Sequence, residues 1–188
     1  NAITIKEGDE LLEAKLTTGN SQILMSVKSG KCIRFEENKT RPMGRNASGV
    51  RGVRLKDQKD EVVGMISVND MDSDILVVSE NGYGKRSKLE DYRITNRGGK
   101  GVKTISITEK TGNLVSLKNV SDGDDLMIIN KSGIAIRMEV NTLRVMGRAT
   151  QGVRLINIKD NDSIAAVAKV VLDDQEVTDI EEIDVVED

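Results

Sequence analysis

Residues 97–103 read Arg-Gly-Gly-Lys-Gly-Val-Lys, a glycine-rich basic segment that belongs to a repeating pattern. The repeat becomes visible when three glycines are taken as origins, each followed by another glycine 19 residues later: Gly30 with Gly49, Gly82 with Gly101, and Gly133 with Gly152. The origins lie 52 and 51 residues apart. A period of about 50 residues is typical of propellers, solenoids and other repeat arrays, so we expect three related units in tandem.

Four positions counted from each origin are basic in all three units. They are +4 (Arg34, Arg86, Arg137), +11 (Arg41, Arg93, Arg144), +15 (Arg45, Arg97, Arg148) and +21 (Arg51, Lys103, Arg154). Only 28 of the 188 residues are Lys or Arg, so basic residues at all of these matched positions do not arise by chance. The repeat therefore carries a cationic pattern.

Each unit is predicted to contain four β-strands. An apolar run, a turn at the origin glycine and a return run predict a β-hairpin, because glycine accepts the positive φ of such a turn. The paired runs are 23–27 with 31–35, 75–79 with 83–87, and 126–130 with 134–138. Alternating apolar residues predict a third strand, over 50–55, 102–107 and 153–158. A final apolar run predicts a fourth, over 62–68, 114–120 and 164–170.

Four strands per unit is the number in a propeller blade, so we predict an all-β, propeller-like fold of about three blades over residues 1–171. Residues 8–16 match residues 59–67, and we therefore expect the chain to start on the last strand of an earlier unit. The chain also begins with Asn1 rather than Met, which leads us to expect part of a longer protein.

The composition excludes several kinds of chemistry. The chain has no histidine, which excludes a histidine base and an imidazole–metal site. Cys32, the only cysteine, lies in an apolar run and is expected to be a buried structural thiol. Tyr83 lies in a predicted hairpin strand and Tyr92 has no matching tyrosine in the other units, so we expect neither to be catalytic. No apolar run approaches the roughly 20 residues of a membrane span.

The acidic residues form turn clusters and a C-terminal tail. The clusters are Asp57/Asp60, Asp122/Asp124/Asp125 and Asp160/Asp162, which are better explained as turn formers than as metal ligands. Residues 173–188 carry nine acids and no base, so residues 1–172, with 28 basic and 22 acidic residues, have a net charge of +6. This asymmetry favours a polyanion partner. We expect residues 172–188 to be a disordered tail that competes for the basic surface.

Two features of the pattern have two interpretations each. The +4 arginine lies in a strand, between apolar neighbours at Arg34 and Arg137, so it is expected to point towards solvent or a partner. An ion pair with an acid of the next blade is the alternative. The glycines of residues 97–101 would let the backbone approach a ligand, and the flanking cations suit phosphate oxygens. The alternative is a flexible turn with solvated cations. It is not a Walker loop, since a strand and not a helix follows.

Several longer segments resemble the C-terminal domain of the DNA gyrase A subunit and, less closely, its topoisomerase IV counterpart. They are residues 27–35, 43–45, 49–55, 81–86 and 145–153. The resemblance covers most of residues 1–170 and implies a β-pinwheel, a propeller-like disc whose blades exchange strands, here as its last three blades and an acidic tail. The family's signature box, Gln-Arg-Arg-Gly-Gly-Lys-Gly, agrees with residues 95–101 at five of seven positions, and we expect the true box upstream.

The resemblance also implies a function. The family wraps double-stranded DNA on a basic rim, so that an ATP-dependent type II topoisomerase can introduce negative supercoils in the bacterial cytoplasm, at the nucleoid. The partners are then DNA, the rest of the gyrase A subunit, plus the gyrase B subunit, with no membrane and no small-molecule substrate. This fragment is expected to hold no catalytic residue, cofactor or metal.

The residues expected to bind DNA are Arg34, Arg41, Arg45, Arg51, Lys85, Arg86, Arg93, Arg97, Lys100, Lys103, Arg137, Arg144, Arg148 and Arg154. The box-like loop is Arg97, Gly98, Gly99, Lys100 and Gly101. Phosphate recognition with little base reading, and a preference for DNA that bends easily, are expected from such a cationic belt. The alternative is a protein-interaction propeller that does not bind DNA. Repeated cations without aromatic anchors favour DNA.

Overall fold

The computed structural model describes residues 2–159 and 162–171, and over these residues the fold is all-β. The strands in this part of the chain are β1 (Gln22–Val27), β2 (Lys31–Glu36), β3 (Val62–Val68), β4 (Asp74–Ser79), β5 (Tyr83–Lys88), β6 (Val102–Lys103), β7 (Leu114–Val120), β8 (Asp124–Asn130), β9 (Ala135–Glu139), β10 (Val153–Arg154) and β11 (Ile164–Val171). Short 3₁₀ turns follow each hairpin, at Glu37–Lys39, Leu89–Asp91 and Val140–Thr142. The predicted acidic tail, residues 172–188, lies outside the described residues.

The strands form three antiparallel sheets, which we call blades 1, 2 and 3. Their strand orders are β3-β1-β2-β6, β10-β5-β4-β7 and β11-β8-β9. In blades 1 and 2 the fourth strand comes from the following repeat: Cys32 of β2 pairs with Val102 of β6, and Gly84 of β5 pairs with Val153 of β10. The exchange of strands between neighbouring blades, which the resemblance implied, is therefore confirmed.

The predicted hairpins are confirmed in all three repeats. β1 pairs with β2, β4 with β5, and β8 with β9, all antiparallel. The origin glycines Gly30, Gly82 and Gly133 have φ of 79°, 77° and 86°, which other residues rarely adopt. Gly82 is also required by space, because a Cβ there would lie 2.7 Å from the carbonyl oxygen of Ile156. The hairpin turn of blade 2 therefore fits closely against the following repeat.

The prediction of a third strand is wrong for the first repeat, where no strand forms, and it overestimates the length of the strand in the other two repeats. Residues 50–55 form no strand, and the other two copies are reduced to the two-residue strands β6 and β10. β6 ends because the next two backbone N–H groups, of Thr104 and Ile105, both donate to the carbonyl oxygen of Gly30, at 2.9 and 3.4 Å. The apolar residues beyond that point pack into the junction with the preceding blade and do not extend the sheet.

The N-terminal segment also differs from expectation, since residues 8–16 form no strand. One carboxylate of the segment contacts blade 1, where Glu13 Oε1 accepts a hydrogen bond from the backbone N–H of Met65 at 2.7 Å. A strand forms only where another strand is available to pair with it. No strand precedes β1 in the described residues, so a segment with a strand-like sequence has no sheet of its own to join.

The apolar core runs through the junctions between blades. One cluster joins Leu24 and Ile66 of blade 1 to Ile75 and Leu117 of blade 2. A second cluster joins blades 2 and 3 in the same manner. Cys32 belongs to the first cluster with none of its surface exposed, and burial raises the pKa of its thiol. The prediction of a buried structural thiol is confirmed.

Candidate nucleic-acid interface

Three loops carry most of the repeated cations, and we call residues 40–51 loop 1, residues 92–103 loop 2 and residues 143–154 loop 3. Loop 2 lies along blade 1. The backbone N–H of Thr95 donates to the carbonyl oxygen of Arg34 at 2.8 Å, and that of Gly98 to the carbonyl oxygen of Gly52 at 2.7 Å. Loop 3 lies along blade 2 in the same way, because the backbone N–H of Met146 donates to the carbonyl oxygen of Arg86 at 2.9 Å. The cations of loops 2 and 3 are thus placed at the junctions between blades.

The glycines that end loops 2 and 3 are needed for contact between blades. Gly101 and Gly152 have φ of 69° and 80°. A Cβ on Gly101 would lie 2.5 Å from the carbonyl oxygen of Cys32, and one on Gly152 would lie 2.4 Å from that of Gly84. In the box-like loop, the close approach that Gly101 allows is therefore to the preceding blade. The expectation that this glycine brings the backbone to a phosphate is replaced by a packing role.

The expectation that the +4 arginines point towards solvent or a partner is wrong for two of the three. Arg34 and Arg86 are 8% and 7% exposed. Arg34 Nη1 donates to the carbonyl oxygens of Leu89 and Tyr92 at 2.7 and 3.0 Å, and its Nε donates to Gln22 Oε1 at 2.7 Å. The face of the strand opposite its own apolar contacts is covered by the following blade, so these guanidinium groups are buried at the junction.

The alternative interpretation of the +4 position, an ion pair with an acid of the next blade, describes Arg86, whereas Arg137 pairs within its own blade. Arg86 forms salt bridges with Asp122, just before β8 of the following blade, and with Asp74 of its own blade at 3.5 Å. Its Nε also donates to the carbonyl oxygen of Leu143. Arg137 pairs with Asp125 of its own blade, and its side chain is 49% exposed.

Lys85 is also predicted to contact DNA, and its position contradicts that expectation because it is 1% exposed. Its ammonium group donates to the carbonyl oxygen of Gly147 in loop 3. Burial lowers the pKa of Lys85 to about 8; the nearby Arg148 lowers it further and Asp91 opposes the shift. The corresponding residues of the other repeats are Ile33 and Ile136, so blade 2 holds a cation where its neighbours hold an apolar side chain.

The +15 arginines of loops 2 and 3 are half-buried and reach back along the chain. Arg97 Nη1 donates to the carbonyl oxygen of Arg51 at 2.8 Å, and Arg148 Nη1 donates to that of Lys103 at 2.9 Å. In both cases the acceptor is the +21 residue of the preceding loop. Arg45, the +15 residue of loop 1, is exposed. The +15 arginines thus tie one cationic loop to the next.

Nine of the predicted cations are exposed, and eight of them form no salt bridge within the described residues. The eight are Arg41, Arg45, Arg51, Arg93, Lys100, Lys103, Arg144 and Arg154; Arg137 is the ninth. Each loop contributes at least two of these eight. Among the described residues, every loop therefore carries two or more cations without a salt bridge, and these side chains can offer N–H donors to an anionic partner.

A second basic residue lies directly opposite one of them. Lys31 of β2 pairs with Lys103 of β6 in the cross-strand register. Like charges that face each other across two strands destabilise a sheet. An anion that approached both ammonium groups would remove that repulsion, so this pair is a favourable place for a phosphate.

Tyr83 and Lys110 join the site at the equivalent place in blade 2. Tyr83 pairs with Arg154 in the register of β5 and β10. Its hydroxyl accepts hydrogen bonds from Arg154 Nε and Nη2 at 3.2 and 2.8 Å. Lys110 Nζ and Arg154 Cζ each lie 5.4 Å from the centroid of the Tyr83 ring. Sequence reasoning missed Lys110, because it is not at a repeated position and its nearness to Arg154 depends on strand exchange.

The described members of the acidic clusters have two kinds of role. Asp122 and Asp125 form salt bridges with +4 arginines, whereas Asp60 and Asp162 bind hairpin turns. The carboxylate of Asp60 accepts hydrogen bonds from the backbone N–H and the hydroxyl of Ser29, at 2.9 and 2.8 Å. Asp162 accepts from the hydroxyl of Ser132 at 2.8 Å, in the corresponding hairpin of blade 3. Over residues 2–159 and 162–171, no group of three or more Cys, Asp or Glu residues is arranged to hold a metal ion. In the same ranges no helix is long and apolar enough to span a membrane.

Strand-exchanged blades with a cationic loop at each junction define a propeller-like module with a repeated basic surface. The family model for the DNA gyrase C-terminal domain, beta-propeller, matches three consecutive parts of the chain, residues 24–69, 73–121 and 124–170. The chain belongs to the DNA gyrase C-terminal domain family. The predicted fold class and the resemblance are thereby confirmed.

Individual relatives agree with this assignment. The DNA gyrase A subunit of Staphylococcus epidermidis is 46% identical over 170 residues, which are 90% of this chain and 19% of the relative. The corresponding gyrase protein from Staphylococcus aureus is 46% identical over 100% of this chain and 21% of its own length. The chain thus spans about a fifth of the length of these curated relatives.

Two solved structures share the fold. A DNA gyrase A C-terminal domain superposes with a TM-score of 0.82 at 27% identity, covering 90% of this chain and 57% of that one. The C-terminal domain of a DNA topoisomerase IV gives a TM-score of 0.85 at 22% identity, over 90% of this chain and 53% of that one. The second likeness concerns the fold alone.

Proposed function

We propose that this chain binds double-stranded DNA without reading its sequence and bends it along the cationic loops. It does so as a non-catalytic part of an ATP-dependent type II topoisomerase that introduces negative supercoils. Its partners in that enzyme are the rest of the gyrase A subunit, plus the gyrase B subunit, in the cytoplasm at the nucleoid. Membership of the gyrase C-terminal family, together with relatives that are gyrase A subunits, supports this assignment.

The observation that carries the proposal is the set of eight exposed loop cations without a salt bridge in the described residues. Duplex DNA presents one negative charge per roughly 1.7 Å of its axis, and neutralising phosphates releases condensed counterions. Contacts of this kind hold and orient a duplex but carry no sequence information. A repeated set of cations therefore supports binding that is tight at low salt and indifferent to sequence.

Bending follows from the repetition of the loops. A duplex that contacts loops 1, 2 and 3 together must follow the angle between successive blades. The blades are joined by exchanged strands and by the backbone bonds of loops 2 and 3, so this angle is held by the protein. Because DNA resists bending over lengths below about 150 base pairs, sequences with flexible steps should bind better than stiff ones.

The contact residues in this proposal are a corrected set. They are the eight exposed loop cations together with Lys31 and Lys110. Arg34, Lys85 and Arg86 leave the set because their charges are buried at blade junctions. Arg97 and Arg148 contribute mainly by joining one loop to the next.

A gel-shift titration with a duplex of about 150 base pairs, repeated over a salt series, tests the proposal. The logarithm of the binding constant should fall linearly with the logarithm of the salt concentration, by about 0.9 per phosphate neutralised. Negligible binding at physiological salt would reject DNA binding and favour the protein-interaction propeller. Running residues 1–172 beside the full chain tests the tail, since a competing tail predicts tighter binding by the shorter chain at low salt.

A further inference from the structure

Two buried arginines hold the loop of the following blade by their side chains. Arg34 of blade 1 donates to the carbonyl oxygens of Leu89 and Tyr92, the latter directly before Arg93. Arg86 of blade 2 donates through Nε to the carbonyl oxygen of Leu143, directly before Arg144. In both junctions the acceptor next to the exposed +11 arginine is a backbone oxygen, so the guanidinium group fixes the course of the main chain at that cation.

The backbone of the same two arginines holds the far side of the +11 residue. The carbonyl oxygen of Arg34 accepts from Thr95 N–H at 2.8 Å, and that of Arg86 accepts from Met146 N–H at 2.9 Å. Short parallel bridges place Arg34 beside Ile94 and Arg86 beside Val145. One residue of the preceding blade thus contacts the loop before and after its +11 cation, and the arrangement recurs at both junctions.

We propose that Arg34 and Arg86 are positioning residues that set where the cations of loops 2 and 3 lie relative to the preceding blade, and thereby set how strongly bound DNA is bent. The inference rests on the proposed DNA binding. Neither side chain is exposed enough to neutralise a phosphate. Bent DNA pushes back elastically on the groups that hold it, so a loop that is less firmly held should yield to the duplex.

Blade 3 contains the matched control. Arg137 stands at the same repeat position, but no blade follows it in the described residues, and its side chain is half exposed. It pairs only with Asp125 of its own blade. Replacing Arg137 should therefore leave the bend unchanged, whereas the same replacement of Arg86 should reduce it.

The experiment compares Arg86→Gln, Arg86→Lys, Arg137→Gln and Arg93→Gln in the full chain. Each protein is titrated with a duplex shorter than the persistence length of about 150 base pairs, labelled at both ends for energy transfer. A salt series on the same duplex counts the phosphates neutralised. Hydrogen exchange of the Met146 amide, without DNA, reports whether loop 3 has lost its anchor.

Loss of a positioning residue should reduce the bend without changing the salt slope. Loss of a direct phosphate contact should change both. For Arg86→Gln we expect an unchanged salt slope, at least a twofold loss of the bend-dependent energy transfer, and faster exchange at Met146. Arg93→Gln removes an exposed cation, so its salt slope should fall by about 1. Arg86→Lys keeps the charge but cannot reproduce the planar fork, and should share the bending defect in a more stable protein.

Several results would overturn the inference. A salt slope lowered by about 1 in Arg86→Gln, whether or not the bend changes, would make Arg86 a phosphate contact. An unchanged bend in both Arg86 variants, while the wild-type chain binds and bends DNA, would reject the inference alone. If the wild-type chain itself does not bind the duplex, the proposed function fails and the inference fails with it. If Arg86→Gln does not fold, the bend and the salt slope of Arg86→Lys decide whether Arg86 has a positioning role.

Discussion

Blades 2 and 3 are built from successive copies of the same repeat, but in the described residues blade 2 is followed by another blade and blade 3 is not. β5 of blade 2 is buried at five of its six residues, while β9 of blade 3 alternates exposed and half-buried residues. Arg86 on β5 is 7% exposed, and Arg137 at the matching position is half exposed. The environment of a residue in this fold is therefore decided as much by the next repeat as by its own.

The same comparison explains what the cations do. Where a blade follows, the +4 arginine becomes part of the junction, and the +15 arginine of the next loop donates to the +21 residue of the loop before it. In blade 3, which no blade follows in the described residues, the +4 arginine keeps an ordinary surface ion pair. Matched substitutions in the two kinds of blade should therefore have unequal effects, and the largest difference is expected for the +4 arginine itself.

Replacing the +4 arginine should destabilise blade 2 far more than blade 3. Arg86→Gln removes a buried partner of Asp74 and of the Leu143 carbonyl oxygen, which should lower the free energy of unfolding by about 3 kcal/mol. Arg137→Gln removes a half-exposed pair and should lower it by less than about 1 kcal/mol. Urea unfolding of both variants measures the difference. Equal losses would show that the junction contributes nothing.

The second glycine of the repeat gives the next comparison. Gly101→Ala puts a Cβ 2.5 Å from the carbonyl oxygen of Cys32 at positive φ, and should lower the free energy of unfolding by about 3 kcal/mol. Gly49→Ala has φ of 79° but meets no atom within 4 Å, so only the conformational cost of about 1–2 kcal/mol remains. Thermal unfolding of the two alanine variants should therefore show a clearly lower Tm for Gly101→Ala. Similar Tm values would mean that loop 2 does not lie close to blade 1 in solution.

Lys85 should make stability depend on alkaline pH. Its pKa is about 8 in the folded chain because of burial, and about 10.4 when unfolded, so between these values only the unfolded state binds the proton. The free energy of unfolding should consequently rise by about 2 kcal/mol between pH 8 and pH 10. Lys85→Ile, which introduces the residue found in the other repeats, should abolish this rise. Lys100→Met, at an exposed site, should retain it; a rise that survives in Lys85→Ile would assign it to another group.

The smallest expected effect, on the salt dependence of DNA binding, concerns Lys110, whose position is not basic in the other repeats. Lys110→Gln should reduce the salt slope of DNA binding by about 1 if its ammonium joins Arg154 on a phosphate. Lys15→Gln is the control, because Lys15 lies on the N-terminal segment and pairs with Glu13 at 3.0 Å. A gel shift over a salt series measures both slopes. Identical slopes for the two variants would exclude Lys110 from the site.

Much of the fold could be predicted from the sequence. The origin glycines, the apolar runs beside them and the repeat length are local features, and local features predicted all three hairpins. The prediction failed where structure depends on another repeat. The apolar alternation after Gly101 looked like a strand, but after Lys103 it packs into a junction that only the assembled blades create.

The candidate site shows the same limit. The repeated basic positions were visible in the sequence, and all six of the +11 and +21 residues are exposed as expected. Along β2, the apolar residues on either side of Arg34 indicated which face of the strand meets its own core, but not that the other face meets the following blade. β5 gives no such signal, because the neighbours of Arg86 are Lys85 and Ser87. Arg34, and Arg86 by its equivalent position, were therefore expected to point towards solvent or a partner. Lys110 was missed because its neighbour, Arg154, comes from the next repeat.

The origin of the fourth strand gives the array a direction. Each complete blade borrows that strand from the repeat on its carboxyl side, as Val102 does for Cys32 and Val153 for Gly84. Unfolding that starts at the carboxyl end therefore strips one strand from the blade before it and exposes a hydrogen-bonding edge, and the loss can pass to the next blade in turn. Unfolding of blade 1 would leave the sheet of blade 2 with all its strands. In such a tandem array each unit contacts its neighbours. Unfolding should therefore spread more readily from the carboxyl end towards the amino end than in the opposite direction.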